Sequence, residues 1–234
     1  TTWTITRDAS LGLNFAGVNY YDGQGFMVKS SLGVSSALDL GGAAVCIQAG
    51  TTTELNLADW GKQNGIDYQS VVSDTNAQTL TNYDSGRCDV LTTDASGLYS
   101  MRAAANDPSE HVVLPEIISK EPLGPVVRQG DDQWFNIVRW SLNAMITAEE
   151  LGVTSATVDE VTNNPERERL MGRSGNTHEY VGLTPDWTYN IISQVGNYSE
   201  SFERNIGLNT PIGIARGVNA LWTDGGILYS PPFR

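Results

Sequence analysis

One stretch constrains this chain more than any other: Ala43 to Asn56, reading Ala-Ala-Val-Cys-Ile-Gln-Ala-Gly-Thr-Thr-Thr-Glu-Leu-Asn. It opens as an apolar, partly β-branched run with the length of a buried strand, and it breaks at Gly50. The threonines Thr51, Thr52 and Thr53 followed by Glu54 then announce a helix start, because hydroxyl acceptors before an acidic first turn satisfy orphan backbone N–H groups. Strand, tight turn and helix N-terminus together make a cradle for a small anion, since free N–H groups and the positive end of the helix dipole point out of the turn. The plainer alternative is an ordinary, well-capped βα turn.

A second turn of the same kind follows about forty residues later, in Cys88-Asp89-Val90-Leu91-Thr92-Thr93-Asp94. In an open α/β sheet neighbouring βα turns gather at the carboxyl ends of the strands, so the two turns are expected to share a crevice. One turn offers N–H groups to an anion and the other a carboxylate to a cation. A ligand with both charges a few bonds apart is an α-amino acid. Taken alone, Asp94 reads equally as a helix N-cap.

The net charge of −13 argues against nucleic acid and against anionic membrane surfaces as partners. No apolar run approaches the roughly 20 residues of a membrane helix. The opening Thr-Thr-Trp-Thr carries no basic, apolar leader and reads as the middle of something, so either a leader has been processed away or the first part of a larger fold is absent. Cys46 and Cys88 each belong to one of the two strands above. If those strands are neighbours, a disulfide is geometrically possible and fits an oxidising compartment; the alternative is two buried thiols. His111 and His178 stand alone without metal-ligand spacing and are expected at the surface. No cofactor is expected.

Along the chain, Thr1 to Thr6 alternates like a strand and ends at Arg7-Asp8. Arg7 can grip a carboxylate with two parallel bonds, or simply pair with Asp8. Residues 20 to 29 resume as a strand whose glycines allow a crossing between lobes. From Ser30 to Val113 helices and strands alternate: helices over Val34–Leu40, Thr53–Asn64, Asn76–Ser85 and Ala95–Ala105, strands over Ala43–Gln48, Asp67–Val72, Cys88–Thr92 and Val112–Leu114. Leu55, Leu57, Ala58 and Trp60 are expected on the buried side of the second helix. Such alternation implies an α/β fold with a parallel-rich sheet covered by helices. Beyond a second crossing over Ile117–Val127, Asp131-Asp132 caps a long helix, Gln133–Leu151, stopped by Gly152. Its buried face is expected to hold Trp134, Ile137, Val138, Leu142, Met145 and Ile146. Short helices then open at Asn164-Pro165, Thr184-Pro185-Asp186, Asn197 and Gly213–Trp222, before an extended tail.

Several motifs in order carry a family likeness: Thr1 to Asp8 with Phe15, Tyr20-Tyr21-Asp22-Gly23-Gln24-Gly25-Phe26, Gln48 to Glu54, Gly86-Arg87-Cys88-Asp89 leading into Thr93-Asp94, Asn219 to Gly226, and Pro231-Pro232-Phe233-Arg234. Over essentially its whole length the chain resembles the polar amino-acid substrate-binding proteins of ABC importers, in particular the general L-amino-acid-binding branch. The resemblance implies a periplasmic-binding-protein-like fold of two α/β lobes joined by crossing strands, with an L-amino acid bound between them for an ABC permease in the inner membrane. It implies that Arg7, helped by Thr2 or Thr4, takes the α-carboxylate, that Thr51, Thr52 and Thr53 add donors, and that Asp94 accepts the α-ammonium. Gln48 and Thr93 fall where such proteins vary with side-chain preference; both are neutral, which fits breadth. The elements expected before Arg7 are missing, so residues 26–115 are read as a complete lobe two, and residues 1–25 and 116–234 as a partial lobe one. A half-built lobe exposes strand edges, so a homo-oligomer covering it is expected. A structural or sensory role with weak binding is the alternative. An enzyme on the same scaffold ranks lower, for want of a second convergent carboxylate, cysteine or histidine.

Overall fold

The structure is a computed structural model that describes residues 1–234. The chain divides into two compact units, one made of Thr1–Tyr21 with Pro122–Arg234 and the other of Asp22–Glu121.

The first unit opens with helix α1, Ile5–Ser10, strand β1, Leu13–Phe15, and strand β2, Tyr20–Asp22, which carries the chain to its boundary. The strand expected over Thr1–Thr6 is therefore reduced to one antiparallel bridge between Thr2 and Leu123. A local bond decides this: the Thr4 hydroxyl accepts the Arg7 N–H and caps α1, turning the chain helical at the next residue. The alternation of Trp3 and Ile5 was no strand signal, for Trp3 stacks on Phe15 at 5.1 Å while Ile5 is 83% exposed.

The second unit holds β3 (Gln24–Lys29), β4 (Ala44–Gln48), α2 (Thr52–Asn64), β5 (Gln69–Ser73), α3 (Asn76–Asp84), β6 (Val90–Asp94), α4 (Ala95–Ala104) and β7 (His111–Val113). Its sheet runs β5-β4-β6-β3-β7 and is mixed: β4 pairs parallel with β5 and β6, whereas β3 pairs antiparallel with β6 and β7. The helical crossovers from β4 through α2 to β5, and from β5 through α3 to β6, produce the parallel half. The strand period of two splits the core. Phe26, Val28, Val45, Ile47 and Leu57 pack on one face, and Met27, Cys46, Tyr83, Leu91 and Leu98 on the other. Cys46 and Cys88 are joined by a disulfide, their Cα atoms 5.7 Å apart.

Three expectations in this unit are corrected. The helix over Val34–Leu40 is a single 3-10 turn, Ala37–Asp39, started by Ser36 and held by Glu116, whose carboxylate accepts from the Ser36 hydroxyl and the Ala37 N–H. On α2 the buried stripe is Thr53, Leu57 and Gly61; Leu55 is 69% exposed and Ala58 faces solvent. His111 is buried, because the Tyr83 hydroxyl lies 3.1 Å from its Nδ1 and the two rings pack together; burial raises the Tyr83 hydroxyl far above its ordinary value.

The chain returns through β8 (Glu121–Leu123), which pairs with β2, and β9 (Val126–Arg128), which pairs antiparallel with β1. Helix α5, Asp132–Glu150, is capped by the Asp131 carboxylate on the Trp134 N–H, and Gly152 supplies the left-handed residue after its end at φ +65°. Its C-terminal half buries Ala144, Ile146 and Ala148 while Trp134 stays 52% exposed, so the expected apolar face is inward only in part. Helices α6 (Pro165–Leu170), α7 (Thr177–Val181), α8 (Trp187–Val195) and α9 (Tyr198–Asn205) enclose a core that includes Val153, Leu170, Trp187, Ile192 and Phe233. Asn197 and Glu200 form a reciprocal capping box on α9. The helix expected over Gly213–Trp222 is absent. Two 3-10 turns, Gly217–Asn219 and Trp222–Asp224, stand there instead, and the buried Asn219 side chain is committed to Tyr21: it accepts from the Tyr21 N–H at 2.7 Å and donates to the Tyr21 carbonyl at 3.0 Å.

Candidate functional site

Strands β4 and β6 lie side by side in parallel, Val45 opposite Val90 and Cys46 opposite Leu91. Counting on two residues in that register puts Gln48 and Thr93 at one level, so the turns that open α2 and α4 share one edge of the sheet. The local chemistry of the two turns differs.

At the first turn Gly50 takes the left-handed conformation at φ +67°, and its N–H donates to Glu54 Oε2 at 3.1 Å. Thr51 is the N-cap by position, yet its side chain makes no capping bond; its hydroxyl donates backwards to the Gln48 carbonyl at 2.9 Å. Thr52 is half-buried and Thr53 buried. The first turn of α2 therefore presents backbone N–H groups that the N-cap side chain does not cover, together with the positive end of a 13-residue helix. Gln48 turns its amide to the Asp74 carbonyl at 3.1 Å.

At the second turn Thr93 and Asp94 are half-buried, paired in the sheet with Gly25 and Gln24. Asp94 is the N-cap of α4 by position, with no side-chain capping bond. The first N–H groups of that helix go elsewhere. Ala95 N–H donates to the Gly23 carbonyl at 2.8 Å, and the Ser96 N–H and hydroxyl both donate to the Asp22 carboxylate. Burial raises the Asp22 carboxyl above its ordinary value, against the pull of the hydrogen bonds it accepts from Ser96 and from the Gly23 N–H at 2.8 Å. Capping duty thus falls on Asp22, and the alternative reading of Asp94 as a plain N-cap does not describe its side chain.

In the first unit Thr2, Thr4 and Arg7 come together. Thr4 caps the helix that carries Arg7, and the Arg7 guanidinium donates from Nη1 to the Thr2 carbonyl at 3.1 Å. The arginine is half-buried and held by its own turn.

Sequence reasoning did not single out Asp22, Gln24, Ser96, Ser119 or Glu121 as site residues. Gln24 is a fully buried glutamine in a strand otherwise apolar from Phe26 to Val28, and that anomaly was the available signal. No group of three or more His, Cys, Asp or Glu side chains is arranged to hold a metal ion. No helix is long and apolar enough to cross a membrane.

No family model matches the chain. It is 59% identical over 238 residues to the general L-amino acid-binding periplasmic protein AapJ of Rhizobium johnstonii, an alignment covering all of this chain and 70% of the relative. It is 55% identical over 236 residues to the glutamate/glutamine/aspartate/asparagine-binding protein BztA of Rhodobacter capsulatus, again with 70% of the relative covered. Among solved structures, an ABC transporter periplasmic binding protein from Brucella ovis with glutathione bound superposes with a TM-score of 0.98 at 54% identity, over all of this chain and 75% of that one. With two α/β-type turns of matched register on one sheet edge and relatives of this identity and coverage, the chain belongs to the periplasmic amino-acid-binding proteins of ABC transporters.

Proposed function

We propose that this protein binds L-α-amino acids in the periplasm, with broad tolerance of polar side chains, and delivers them without chemical change to an ABC permease of the inner membrane. The observation that carries the reading is the division of labour at the two helix starts: Thr51 and Asp94 both occupy cap positions and neither side chain caps. In this reading the N–H groups of Thr52 and Thr53 and the Thr51 hydroxyl region receive the ligand carboxylate, and Asp94 receives the α-ammonium. Arg7, steadied by Thr2 and Thr4, is the guanidinium this reading assigns to carboxylate recognition. Gln48 and Thr93 border the side-chain end, and both are neutral, which suits a broad rather than a charge-selective ligand set. Family membership with AapJ and BztA, named for general and for acidic and amide amino acids, supports that breadth.

Titration calorimetry with a panel of L-amino acids tests it. Saturable binding is expected, weakened at least about 30-fold by Asp94→Ala and by Arg7→Ala, the cost of leaving a buried charge without its partner. Silence across the panel overturns the reading. Glutathione belongs on the panel, because the Brucella ovis relative was solved with it and its γ-glutamyl end carries the same α-ammonium and α-carboxylate pair.

A further inference from the structure

The Gln24 side chain bonds to both halves of the candidate site. Its backbone lies opposite Asp94 in the β3–β6 ladder, and its side chain is fully buried. From there Nε2 donates to the Thr53 carbonyl in the first turn of α2 at 3.1 Å and to Thr92 Oγ1, two residues before Asp94, at 3.0 Å. The amide can face only one way. The Thr53 carbonyl is an acceptor, and the Thr92 hydroxyl spends its single proton on the Gly25 carbonyl at 2.7 Å, so both neighbours demand N–H donors. The Gln24 backbone is held in turn, its N–H donating to Ser119 Oγ at 3.1 Å while its carbonyl accepts the Ile118 N–H at 2.8 Å. Ser119 passes its proton to Glu121 Oε1 at 2.9 Å, and the same oxygen accepts the Asn56 amide of α2 at 2.8 Å, three residues along the helix from Thr53.

This network is poor engineering for stability alone. Gln24 Oε1 and Glu121 Oε2 are buried without a hydrogen-bond partner, which an apolar side chain at either position would avoid. What the arrangement provides is a fixed distance. A single residue joins the strand end that carries Asp94 to the helix start that carries Thr52 and Thr53.

We propose that Gln24 is a positioning residue that sets the spacing between the anion-receiving turn of α2 and the ammonium-receiving end of β6, and so makes the site select α-amino acids over their β-amino isomers. The proposal rests on the amino-acid reading above. In an α-amino acid the two charged groups share one carbon; in a β-amino acid a further carbon separates them, and a rigid strut cannot lengthen to match.

The test compares dissociation constants for two isomer pairs, L-alanine with β-alanine and L-glutamate with 3-aminoglutarate, in the wild type, Gln24→Met and Thr92→Val. Gln24→Met keeps the length and removes both N–H donors; Thr92→Val removes one acceptor and leaves Gln24 bonded to Thr53. The expected result is that the preference for the α isomer falls about tenfold in Gln24→Met and less in Thr92→Val. A loss of affinity shared equally by both isomers, or no change in the ratio, overturns the proposal, because a merely structural role weakens both alike. Amide hydrogen exchange on the unliganded proteins separates this outcome from failure of the amino-acid reading itself. If the wild type binds none of the four compounds, that reading fails, and the strut is judged by whether Gln24→Met speeds exchange at both Thr52–Glu54 and Thr93–Ser96. Acceleration at both keeps the spacing role while the selectivity falls with the amino-acid reading, and acceleration at one or neither removes the spacing role as well.

Discussion

The starts of α2 and α4 stand at the ends of neighbouring parallel strands and finish in opposite ways. At α4 the protein closes its own helix: Gly23 and Asp22 take the first N–H groups, and Asp22 does so from another strand. At α2 the N-cap hydroxyl is turned back on Gln48, and Glu54 reaches to Gly50 rather than to the helix. The difference assigns a sign to each end of the edge. A helix start whose N–H groups its own N-cap side chain does not cover is electropositive and suits a carboxylate, whereas at α4 the first N–H groups are taken by Gly23 and Asp22 and the N-cap aspartate makes no capping bond. In the proposed reading, two turns nearly alike in sequence pattern serve as the two poles of a zwitterion site.

The comparison can be broken hardest at the covalent link beneath it. Cys46–Cys88 ties β4 to the approach to β6 across 42 residues, and by chain entropy its removal in the Cys46→Ser/Cys88→Ser double variant costs about 4 kcal/mol of unfolding free energy, read by urea titration. Next in size is Asp22→Ala, which strands the Ser96 N–H and hydroxyl at a partly buried site and lowers stability by about 1–3 kcal/mol in the same assay. A smaller effect follows from the raised Asp22 carboxyl. A carboxyl whose folded value is raised binds its proton more tightly in the folded state. Its favourable contribution is therefore full below the ordinary 3.8 and declines as pH climbs through the raised folded value. The difference in thermal midpoint between wild type and Asp22→Asn, followed from pH 3 upward, is expected to move against the wild type over that window; a flat difference refutes the assignment. Smallest of all is Thr51→Ala. Replacing a working N-cap costs about 1 kcal/mol, but this hydroxyl does not cap, so a loss under about 0.5 kcal/mol is expected by the same urea titration.

What sequence could and could not disclose follows the range of the interactions. The βα turns at Gly50 and Asp94 were legible because strand, breaker and cap lie within ten residues of one another, and the helix after Asp131 for the same reason. The Cys46–Cys88 link was open from sequence and is formed in the structure. Thr1–Thr6 was misread since alternation over six residues cannot reveal that the Thr4 hydroxyl will accept the Arg7 N–H. His111 was placed at the surface because its partner, Tyr83, sits 28 residues away. The helix expected over Gly213–Trp222 failed for a longer-range reason still, since Asn219 is spent on a residue 198 positions earlier. Asp22 and Gln24 were visible as polar residues in a motif, but their tasks depend on Ser96, Thr53 and Thr92, which only the folded sheet brings near.

Asn219 grips both backbone groups of Tyr21, the last residue before the chain leaves the first unit, through a carboxamide that neither gains nor loses a proton at any physiological acidity. One residue onward, Asp22 is a carboxylate whose protonation answers to its surroundings. Two successive residues of one strand are thus held by groups of different kind, a carboxamide whose charge never changes and a carboxyl that takes up a proton on acidification.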